Sequence, residues 1–543
     1  MVPCADHSDQ FCCRGGGVLC NGRGGPLSRG IRDNLGSGQI GCRCRGRSGG
    51  FCWLGLRVAH QRAPRDARVG TCEGAPEAGG GLMRYGTREA DESPPGKAML
   101  AKESRQITPL PDILGRSIKC ACGQTHSVPT LEVVYAPNVA AEMPALLRRH
   151  STAATVALVA DQRTYEVAGR VAEQALCAAG ITVTKVIVPD PSHGSPVCDT
   201  ATHDWLAAHT PGAEMFLAVG SGVINDLAKW LAFERGTPYV VLATAASMNG
   251  YTAANVAPTL AGVKSLVRAA APLAVAADPA ILSAAPRELT ASGLGDVLAK
   301  PLSTADWLMN HLLLGEHYCP FCAGLINSLE PLYRDNPGAV HAGEPAALKA
   351  LFDALIYSGL AMTMIGTSAP ASGGEHLLSH TLDMMTSVDG IPHDLHGRQV
   401  GIGSIISAAL YERLLALKKV QPVAMPAGID PAFWGALEPS VAKQYSAKQP
   451  ALATLAVRMA DPCSWQAACA QVRPVVRSAA QIKDCLARAG AAHTCAGINA
   501  PPARVRAALL HSHEIRSRPT VIDMAWIAGI LPGASDDLMN LIT

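Results

Sequence analysis

The sequence predicts an α/β N-terminal domain plus an all-α C-terminal domain, preceded by a segment of different composition. Between about residues 127 and 284, short apolar runs alternate with segments of helical periodicity, which is typical of a parallel sheet covered by helices. Beyond residue 284 the strand-like runs stop and long helical patterns such as ALKALFDALIYSGLAMTMIG take over. The predicted divisions are residues 1–98, 99–284 and 285–543.

The first 98 residues hold 21 of the 52 glycines and eight of the 18 cysteines, with no period of 2 or 3.6. Such a segment has too little clustered apolar surface to offset its ordering entropy. We therefore expect it to be disordered, or to be a non-native extension upstream of a natural start at Met83 or Met99. An Arg/Gly-rich nucleic-acid tail is the alternative, although the net charge of +2 makes nucleic acid an unexpected partner for the whole chain.

The composition of the whole chain, 48% hydrophobic, is sufficient for a large buried core. It has no uninterrupted apolar run long enough for a membrane span and no recognisable signal sequence. We therefore expect a cytoplasmic location, with the thiols kept reduced.

The individual elements follow from short patterns. Predicted strands lie in SVPTLEVVYAP, TVALVA (155–160), ITVTKVIVPD, EMFLAVGSG, PYVVLAT and PLAVAADPAIL (272–282). Residues 164–179 are a predicted helix that Gly180 ends, and INDLAKWLAFERG is a second helix that Gly236 ends. In the C-terminal domain, helices are predicted for LTASGLGDVLAKPLSTADWLMNHLLL, for the segment quoted above and for QVGIGSIISAALYERLLAL.

Small, polar turns follow neighbouring predicted strands. AVGSGVINDLAK (218–229) places glycines between a strand and a helix, where backbone N–H groups can receive a phosphate, although a tight turn explains the same residues. TAAS (244–247) follows the next strand, and Asp161 ends an earlier one. Because ligands bind at the carboxyl ends of parallel strands, these turns predict a dinucleotide site. Asp161 would then contact the ribose of NAD, cap a helix, or do both.

Two histidines, His376 and His380, share one face of the helix predicted for SGGEHLLSH. Such pairs also occur in cores, with one ring nitrogen bonded locally. His396 begins the next predicted helix, and Asp296 lies early in the helical domain. One carboxylate and two imidazoles leave coordination positions open on a divalent metal, as catalysis requires. The spacing leaves open whether these residues converge.

Two cysteine motifs remain. CACGQTH (120–126) offers Cys120, Cys122 and His126, a partial zinc site without an evident fourth ligand, so we expect a structural turn. CPFC (319–322) lies in a helical segment without a second pair, so we expect core packing.

Five separated motifs together resemble the sn-glycerol-1-phosphate dehydrogenase family, in the superfamily of glycerol dehydrogenase, iron-containing alcohol dehydrogenase and 3-dehydroquinate synthase. They are AVGSGVINDLAK, TAASMNGYTAANVA, GLGDVLAK…ADWLMNHLLLGEHYC, SGLAM…PASGGEHLLSH and LHGRQVGIGSI. The resemblance begins near Cys120. It implies a dehydroquinate synthase-like fold, NAD(H) or NADP(H), one divalent metal (zinc, nickel or iron) and a homo-oligomer. The implied reaction interconverts a small phosphorylated triose, dihydroxyacetone phosphate, and sn-glycerol 1-phosphate.

The resemblance also implies roles for individual residues. The implied metal ligands are Asp296, His376 and His396, and the implied catalytic and substrate contacts are Asp296 and His380. Asn249 stands at a substrate-contacting position where many members carry Asp. The implied cofactor-binding residues are Asp161, Gly222, Val223, Ile224, Asn225, Asp226, Thr244, Ala245, Ala246, Ser247 and Ala253, the last where members often have Ser.

Three alternatives stay open at this point. A metal-dependent glycerol or alcohol dehydrogenase would act on an uncharged substrate. A 3-dehydroquinate synthase-like lyase would return its cofactor unchanged. A non-enzymatic binding module would place the function in residues 1–98.

Overall fold

A parallel sheet of six strands forms the centre of the N-terminal domain in the computed structural model, which describes residues 109–191 and 194–543. The predicted segment 1–98 lies outside the described residues. The elements up to residue 284 are α1 Leu110–Ile113, β1 Ser117–Lys119, β2 Thr125–Ser127, β3 Glu132–Tyr135, α2 Met143–His150, β4 Thr155–Ala160, α3 Gln162–Thr164, a π-helical turn Tyr165–Gly169, α4 Arg170–Ala178, β5 Thr182–Ile187, α5 Thr200–His209, β6 Met215–Gly220, α6 Gly222–Arg235, β7 Tyr239–Ala243, β8 Asn255–Val256, β9 Thr259–Leu260, β10 Val263–Lys264, β11 Val267–Arg268, β12 Ala274–Ala277 and α7 Pro279–Ala284.

The elements after residue 284 are helices throughout. They are α8 Arg287–Leu298, α9 Lys300–Leu314, α10 Pro320–Asn327, α11 Glu330–Arg334, α12 Pro337–Ala342, α13 Pro345–Ile365, α14 Gly374–Asp389, α15 His396–Ala416, α16 Pro431–Trp434, a 3₁₀ turn Gly435–Leu437, α17 Glu438–Ala460, α18 Pro462–Val472, α19 Ala479–Arg488, a 3₁₀ turn Ala496–Ile498, α20 Pro502–His511, a 3₁₀ turn Ser512–Glu514, α21 Val521–Ile527 and α22 Ser535–Asn540. The predicted fold class is therefore confirmed. The boundary at residues 284 and 285 stays a prediction.

The strand order of the sheet is β3-β12-β7-β6-β4-β5, with every pair parallel. Strands β6 and β7 are buried along their whole length, because helices cover both faces of such a sheet. From β4 the chain continues to β5 on one side and returns to β6 on the other side. The point between β4 and β6 is thus a topological switch, where doubly wound sheets bind their ligands.

Local patterns located most of these elements. The strand predicted at 155–160 has the bounds of β4, and α6 ends where Gly236 adopts a left-handed φ of 65°. The helix predicted at 164–179 is instead α3, the π-helical turn and α4 in succession. The sequence patterns did not predict α5, the antiparallel hairpin of β1 and β2, or the two-stranded pairs β8–β11 and β9–β10.

One helix in the described part of the chain, α13, has the length and apolar composition that a membrane span requires. Of its 18-residue apolar window, 78% is buried inside the fold. Burial of this extent is typical of the core helix of a helical domain.

The helical domain brings α8 and α15 into unusually close approach. A Cβ on Gly295 of α8 would lie 2.1 Å from the carbonyl oxygen of Gly397, and a Cβ on Gly397 would lie 1.9 Å from that of Ser292. Neither distance is compatible with a side chain larger than hydrogen. This backbone contact sets His396, at the start of α15, beside Asp296 in α8.

Candidate active site

The three predicted metal ligands come together in the helical domain. Asp296 on α8, His376 on α14 and His396 at the start of α15 present ligand atoms that all lie within 4.8 Å of one another. His376 Nε2 is 3.5 Å from Asp296 Oδ1, and the rings of His376 and His396 are 5.1 Å apart between centroids. We call these three residues the metal triad.

Neighbouring side chains fix both imidazoles of the metal triad. His376 Nδ1 is 2.9 Å from Glu375 Oε1. His396 Nδ1 is 3.1 Å from Ser379 Oγ, whose hydroxyl can donate to the carbonyl of His396 at 3.4 Å. If each Nδ1–H donates to its oxygen partner, each Nε2 keeps a lone pair for a metal. Such outer partners are the usual support of histidine ligands, so the residues present fit a divalent metal.

Asp296 is buried and held from two sides. Lys300 Nζ donates to its Oδ1 at 2.7 Å, and the backbone N–H of Asn249 donates to its Oδ2 at 2.9 Å. Burial acts to raise the pKa of Asp296, but the Lys300 ammonium and then His376 outweigh it and hold that pKa well below its usual value. Asp296 is therefore an anion at neutral pH, as a metal ligand has to be.

The remaining histidine, His380, lies one turn from His376 on the same helix, with ring centroids 6.0 Å apart. Arg516 Nη2 donates to His380 Nδ1 at 2.9 Å. Burial, followed by the charge of Arg516, lowers the pKa of His380 well below its usual value. Because a guanidinium can only donate, Nδ1 is the acceptor and the single proton of the neutral ring is on Nε2.

The predicted cofactor segments meet at one edge of the sheet. Asp161 follows β4, the glycine turn before Gly222 follows β6, and residues 244–247 follow β7, and these three strands are neighbours. Among the described residues no side chain caps the N-terminus of α6, so its first N–H groups can receive a phosphate. The structure thus brings these segments together beside the topological switch.

Asp161 is also a helix cap. Its Oδ1 accepts from the backbone N–H of Thr164 at 2.8 Å in a capping box. Its Oδ2 is 3.3 Å from Arg163, which pairs with Asp190 as well, at 2.7 Å. The capping interpretation is therefore present in the structure, and a guanidinium stands beside the carboxylate that was predicted to contact ribose.

Other predicted cofactor residues are engaged inside the fold. Ile224 and Asn225 are buried, as are all four residues 244–247. Asp226 accepts from the backbone N–H of Ala257 at 3.1 Å and pairs with Lys229 at 3.3 Å. Gly222 and Val223 are partly exposed at the sheet edge. Ala253 is fully buried in an apolar cluster with Met362 and Ala371.

Asn249 connects the predicted cofactor edge of the sheet to the metal triad. The segment that begins at Thr244 on the sheet edge reaches Asn249, whose amide Nδ2 is 3.4 Å from Asp296 Oδ1 and 3.3 Å from Ser358 Oγ. The path from the cofactor edge to the metal triad is therefore only a few residues long. Hydride transfer between a cofactor and a metal-held substrate requires such proximity.

Sequence reasoning missed four residues of this site. Lys300 lies one helical turn after Asp296, and Glu375 and Ser379 flank the histidines of α14, so spacing could have indicated all three. Arg516 lies 136 residues from its partner His380, and no local pattern marks it.

Comparisons with known proteins agree with this geometry. The family model described as "Iron-containing alcohol dehydrogenase" matches residues 134–286. Glycerol-1-phosphate dehydrogenase [NAD(P)+] of Bacillus velezensis is 37% identical over 267 residues, which is 48% of this chain and 67% of the relative. The enzyme of the same name from Geobacillus stearothermophilus is 31% identical over 335 residues, 61% of this chain and 83% of the relative.

A third relative and a solved structure extend the comparison. The enzyme of the same name from Pyrococcus furiosus is 34% identical over 281 residues, 52% of this chain and 78% of the relative. Glycerol dehydrogenase from Schizosaccharomyces pombe superposes with a TM-score of 0.51 at 16% identity, covering 76% of this chain and 91% of that one. At this identity the likeness concerns the fold alone.

The relatives and the family model place the chain in the class of metal-dependent oxidoreductases typified by the iron-containing alcohol dehydrogenases. Within that class, the chain belongs to the glycerol-1-phosphate dehydrogenase family, whose members use NAD(P).

Proposed function

We propose that this enzyme catalyses the NAD(P)-dependent interconversion of dihydroxyacetone phosphate and sn-glycerol 1-phosphate. The observation that carries the substrate assignment is Arg516. Its guanidinium contacts His380, and its pKa is set by burial and the like charge of Arg518, with no carboxylate of the described residues contributing. Arg516 is partly buried, and a partly buried cation without a counter-charge is costly. A substrate phosphate beside His380 would supply the missing anion.

The surroundings of Arg516 also support a role in binding the substrate phosphate. Arg516, Arg518 and Lys443 line a cavity of ≈ 770 Å³ in which Glu316 is the one acidic lining residue. Burial, followed by the charge of Arg518, lowers the pKa of Arg516 to about 10, which leaves it cationic at neutral pH. Guanidinium groups bind phosphate through paired N–H donors, so we assign Arg516 to the substrate phosphate.

The catalytic roles follow from the metal triad and its partners. When bound, the divalent metal polarises the bond between C2 and oxygen in the substrate, and the nicotinamide supplies or accepts hydride. Asp296, His376 and His396 would hold the metal, and Glu375 and Ser379 orient the two imidazoles. This donor set suits zinc, nickel or iron.

His380 is proposed to handle the proton of the reaction. Its Nδ1 is occupied by Arg516, so its Nε2–H is the group that can donate to the substrate oxygen during ketone reduction. The phosphate contact and the proton donor would then lie on adjacent, hydrogen-bonded side chains. This arrangement fits a substrate in which a phosphorylated carbon lies one bond from the reacting carbonyl.

For the cofactor, we propose NAD(H) with NADP(H) as the weaker alternative, because the carboxylate of Asp161 would repel a 2′-phosphate. Arg163 beside it would reduce that repulsion. The cytoplasmic location and the homo-oligomeric state expected from the sequence remain predictions.

The decisive experiment is a substrate panel followed through the absorbance of NADH. We expect dihydroxyacetone phosphate to have much the higher kcat/KM, with dihydroxyacetone and simple aldehydes as weak substrates. Net oxidation of NADH excludes a lyase that returns its cofactor unchanged. Equal or better activity on dihydroxyacetone would place the enzyme with the general polyol and alcohol dehydrogenases.

The Arg516→Met variant tests the phosphate assignment on the same panel. A charged hydrogen bond contributes about 1.5–3 kcal/mol, so kcat/KM for dihydroxyacetone phosphate should fall by about 10- to 100-fold. The rate with unphosphorylated dihydroxyacetone should fall less, because that substrate loses only the effect of the contact between Arg516 and His380. The exposed Arg458 on α17 offers a control, and Arg458→Met should leave both rates unchanged. Equal loss on both substrates would contradict the assignment.

A further inference from the structure

A second group of metal-binding residue types lies outside the active site. Cys120 and Cys122 lie in the turn between β1 and β2, His126 lies on β2, and Cys319 lies immediately before α10. Their ligand atoms all lie within 4.8 Å of one another. We call these four residues the cysteine cluster. From the sequence alone, CACGQTH is expected to be a structural turn, because the sequence shows no evident fourth ligand. The fold brings Cys319, 193 residues away, next to His126.

The separations inside the cysteine cluster match those of a tetrahedral zinc site. With Zn–S of about 2.3 Å and Zn–N of about 2.0–2.1 Å, tetrahedral geometry places two sulfurs about 3.8 Å apart and a sulfur and a nitrogen about 3.6 Å apart. Here Cys120 Sγ and Cys319 Sγ are 3.6 Å apart. His126 Nε2 is 3.3 Å from the Sγ atoms of both Cys122 and Cys319. A disulfide, by contrast, requires an S–S distance of about 2.05 Å.

The surroundings orient the proposed ligands. His126 Nδ1 is 3.0 Å from the carbonyl oxygen of Met364, in the last turn of α13, where carbonyl groups have no partner within the helix. This bond places the proton on Nδ1 and leaves the Nε2 lone pair directed at the sulfurs. The backbone N–H of Cys322 donates to Cys319 Sγ at 3.4 Å, and the N-terminus of α10 favours a thiolate there.

We propose that Cys120, Cys122, His126 and Cys319 bind one structural zinc ion, separate from the metal triad. All four coordination positions come from protein side chains, which is the arrangement of structural rather than catalytic zinc sites. The ion would tie the hairpin of β1 and β2, ahead of the sheet, to α10 of the helical domain. Neither CACGQTH nor CPFC predicts the zinc site alone, because each motif supplies only part of the ligand set.

Zinc release from the full-length enzyme tests the proposal. A mercurial reagent displaces zinc from thiolates, and a chromogenic chelator reports the released ion. We expect the wild type and His376→Ala to release this zinc, since the metal triad contains no thiol. Cys319→Ala should lose it. Cys322→Ala is the matched control from the same CPFC motif and should keep it.

Cobalt substitution gives a second readout, and its measurement on the wild type does not depend on any variant folding. Thiolate ligands give Co²⁺ a charge-transfer absorption in the near ultraviolet, whereas carboxylate and imidazole ligands do not. Wild-type enzyme loaded with Co²⁺ should show this band, and Cys122→Ser should reduce it strongly.

Three results would overturn the proposal. The first is a cobalt-loaded wild type without the thiolate band and without zinc that a mercurial releases. The second is loss of the zinc in Cys322→Ala together with its retention in Cys319→Ala. The third is a disulfide between Cys120 and Cys319 in freshly purified enzyme, detected by mass spectrometry after alkylation. Failure of the dehydrogenase assay would leave each of these measurements interpretable, because none depends on turnover.

Discussion

Single hydrogen bonds decide the chemistry of the histidines at the active site. His376 and His380 are four residues apart on α14, yet Glu375 contacts Nδ1 of the first and Arg516 contacts Nδ1 of the second. A carboxylate accepts a hydrogen bond, so the proton of His376 is on Nδ1 and its Nε2 lone pair is available to a metal. A guanidinium donates, so His380 keeps a proton on Nε2. Two identical side chains thus suit the opposite roles proposed for them, metal ligand and proton donor.

The first prediction concerns Glu375. The Glu375→Gln change retains the shape but removes the charge that orients His376, so metal affinity should fall by about 10- to 100-fold. Competition with a chelator measures the affinity. Glu330, a buried carboxylate paired with Arg477, offers the control, and Glu330→Gln should leave the affinity unchanged. Unchanged affinity in Glu375→Gln would show that the contact does not support a ligand.

The second prediction concerns Asp161. Serine also caps helices, so Asp161→Ser removes the charge and keeps the cap. A carboxylate about 4 Å from a phosphate costs about 1 kcal/mol in water, and the ratio of kcat/KM for NADPH to that for NADH should rise roughly fivefold. Asp199, which caps α5 in the same way, offers the matched control Asp199→Ser. If the wild type prefers NADPH, Asp161 acts only as a helix cap and does not select the cofactor.

At the scale of elements, the approach of α8 to α15 positions the metal triad. Asp296 stands on one of these helices and His396 on the other, and the glycines at 295 and 397 let the two backbones touch. A third glycine, Gly293, allows α8 to reach the cofactor edge, because a Cβ there would lie 2.0 Å from the carbonyl oxygen of Ala246. The same helix therefore contacts both α15, beside the metal triad, and the predicted cofactor edge.

The third prediction tests this close approach. In Gly295→Ala, the added methyl has to push α15 away, an overpacking that costs about 1–3 kcal/mol or more. We expect loss of metal and of turnover, together with a lower thermal midpoint. Gly324 on α10 has open space around its Cβ position, so Gly324→Ala should leave metal content unchanged. Full metal occupancy in Gly295→Ala would mean that the helices can separate without moving His396.

At the scale of the whole molecule, residues 109–543 include the parallel sheet, the metal triad and the cysteine cluster. The residues of the described part of the chain to which the proposed reaction assigns a role thus lie after Met99. The hairpin of β1 and β2 is the first part of the chain that contributes to a proposed site.

The fourth prediction follows from this distribution. A chain that starts at Met99 should fold and retain the kcat/KM and thermal midpoint of the full-length enzyme. A chain that starts at Pro129 also lacks the hairpin, with three of the four cysteine cluster residues, and should unfold at a lower temperature. Loss of activity in the chain starting at Met99 would show that the first 98 residues take part in folding or catalysis.

The sequence by itself determined the fold class and the position of most elements. The strand at residues 155–160, the helix that ends at Gly236 and the long helix around residues 345–365 could be recognised because periodicity and glycine stops depend only on neighbours within a few residues. The relation of His376 to His380 is equally local. The cofactor edge could be predicted because parallel strands share the direction of their carboxyl ends.

Only the tertiary structure decided which distant residues meet. Asp296 reaches His376 across 80 positions, Arg516 reaches His380 across 136, and Cys319 reaches His126 across 193. Such pairs depend on how whole helices pack, and helix packing depends on the summed shape of many side chains and on glycine contacts that no local period records. For this reason the metal triad could be predicted only as a set of candidates. The proposed phosphate contact and the proposed fourth ligand of the cysteine cluster could not be predicted at all.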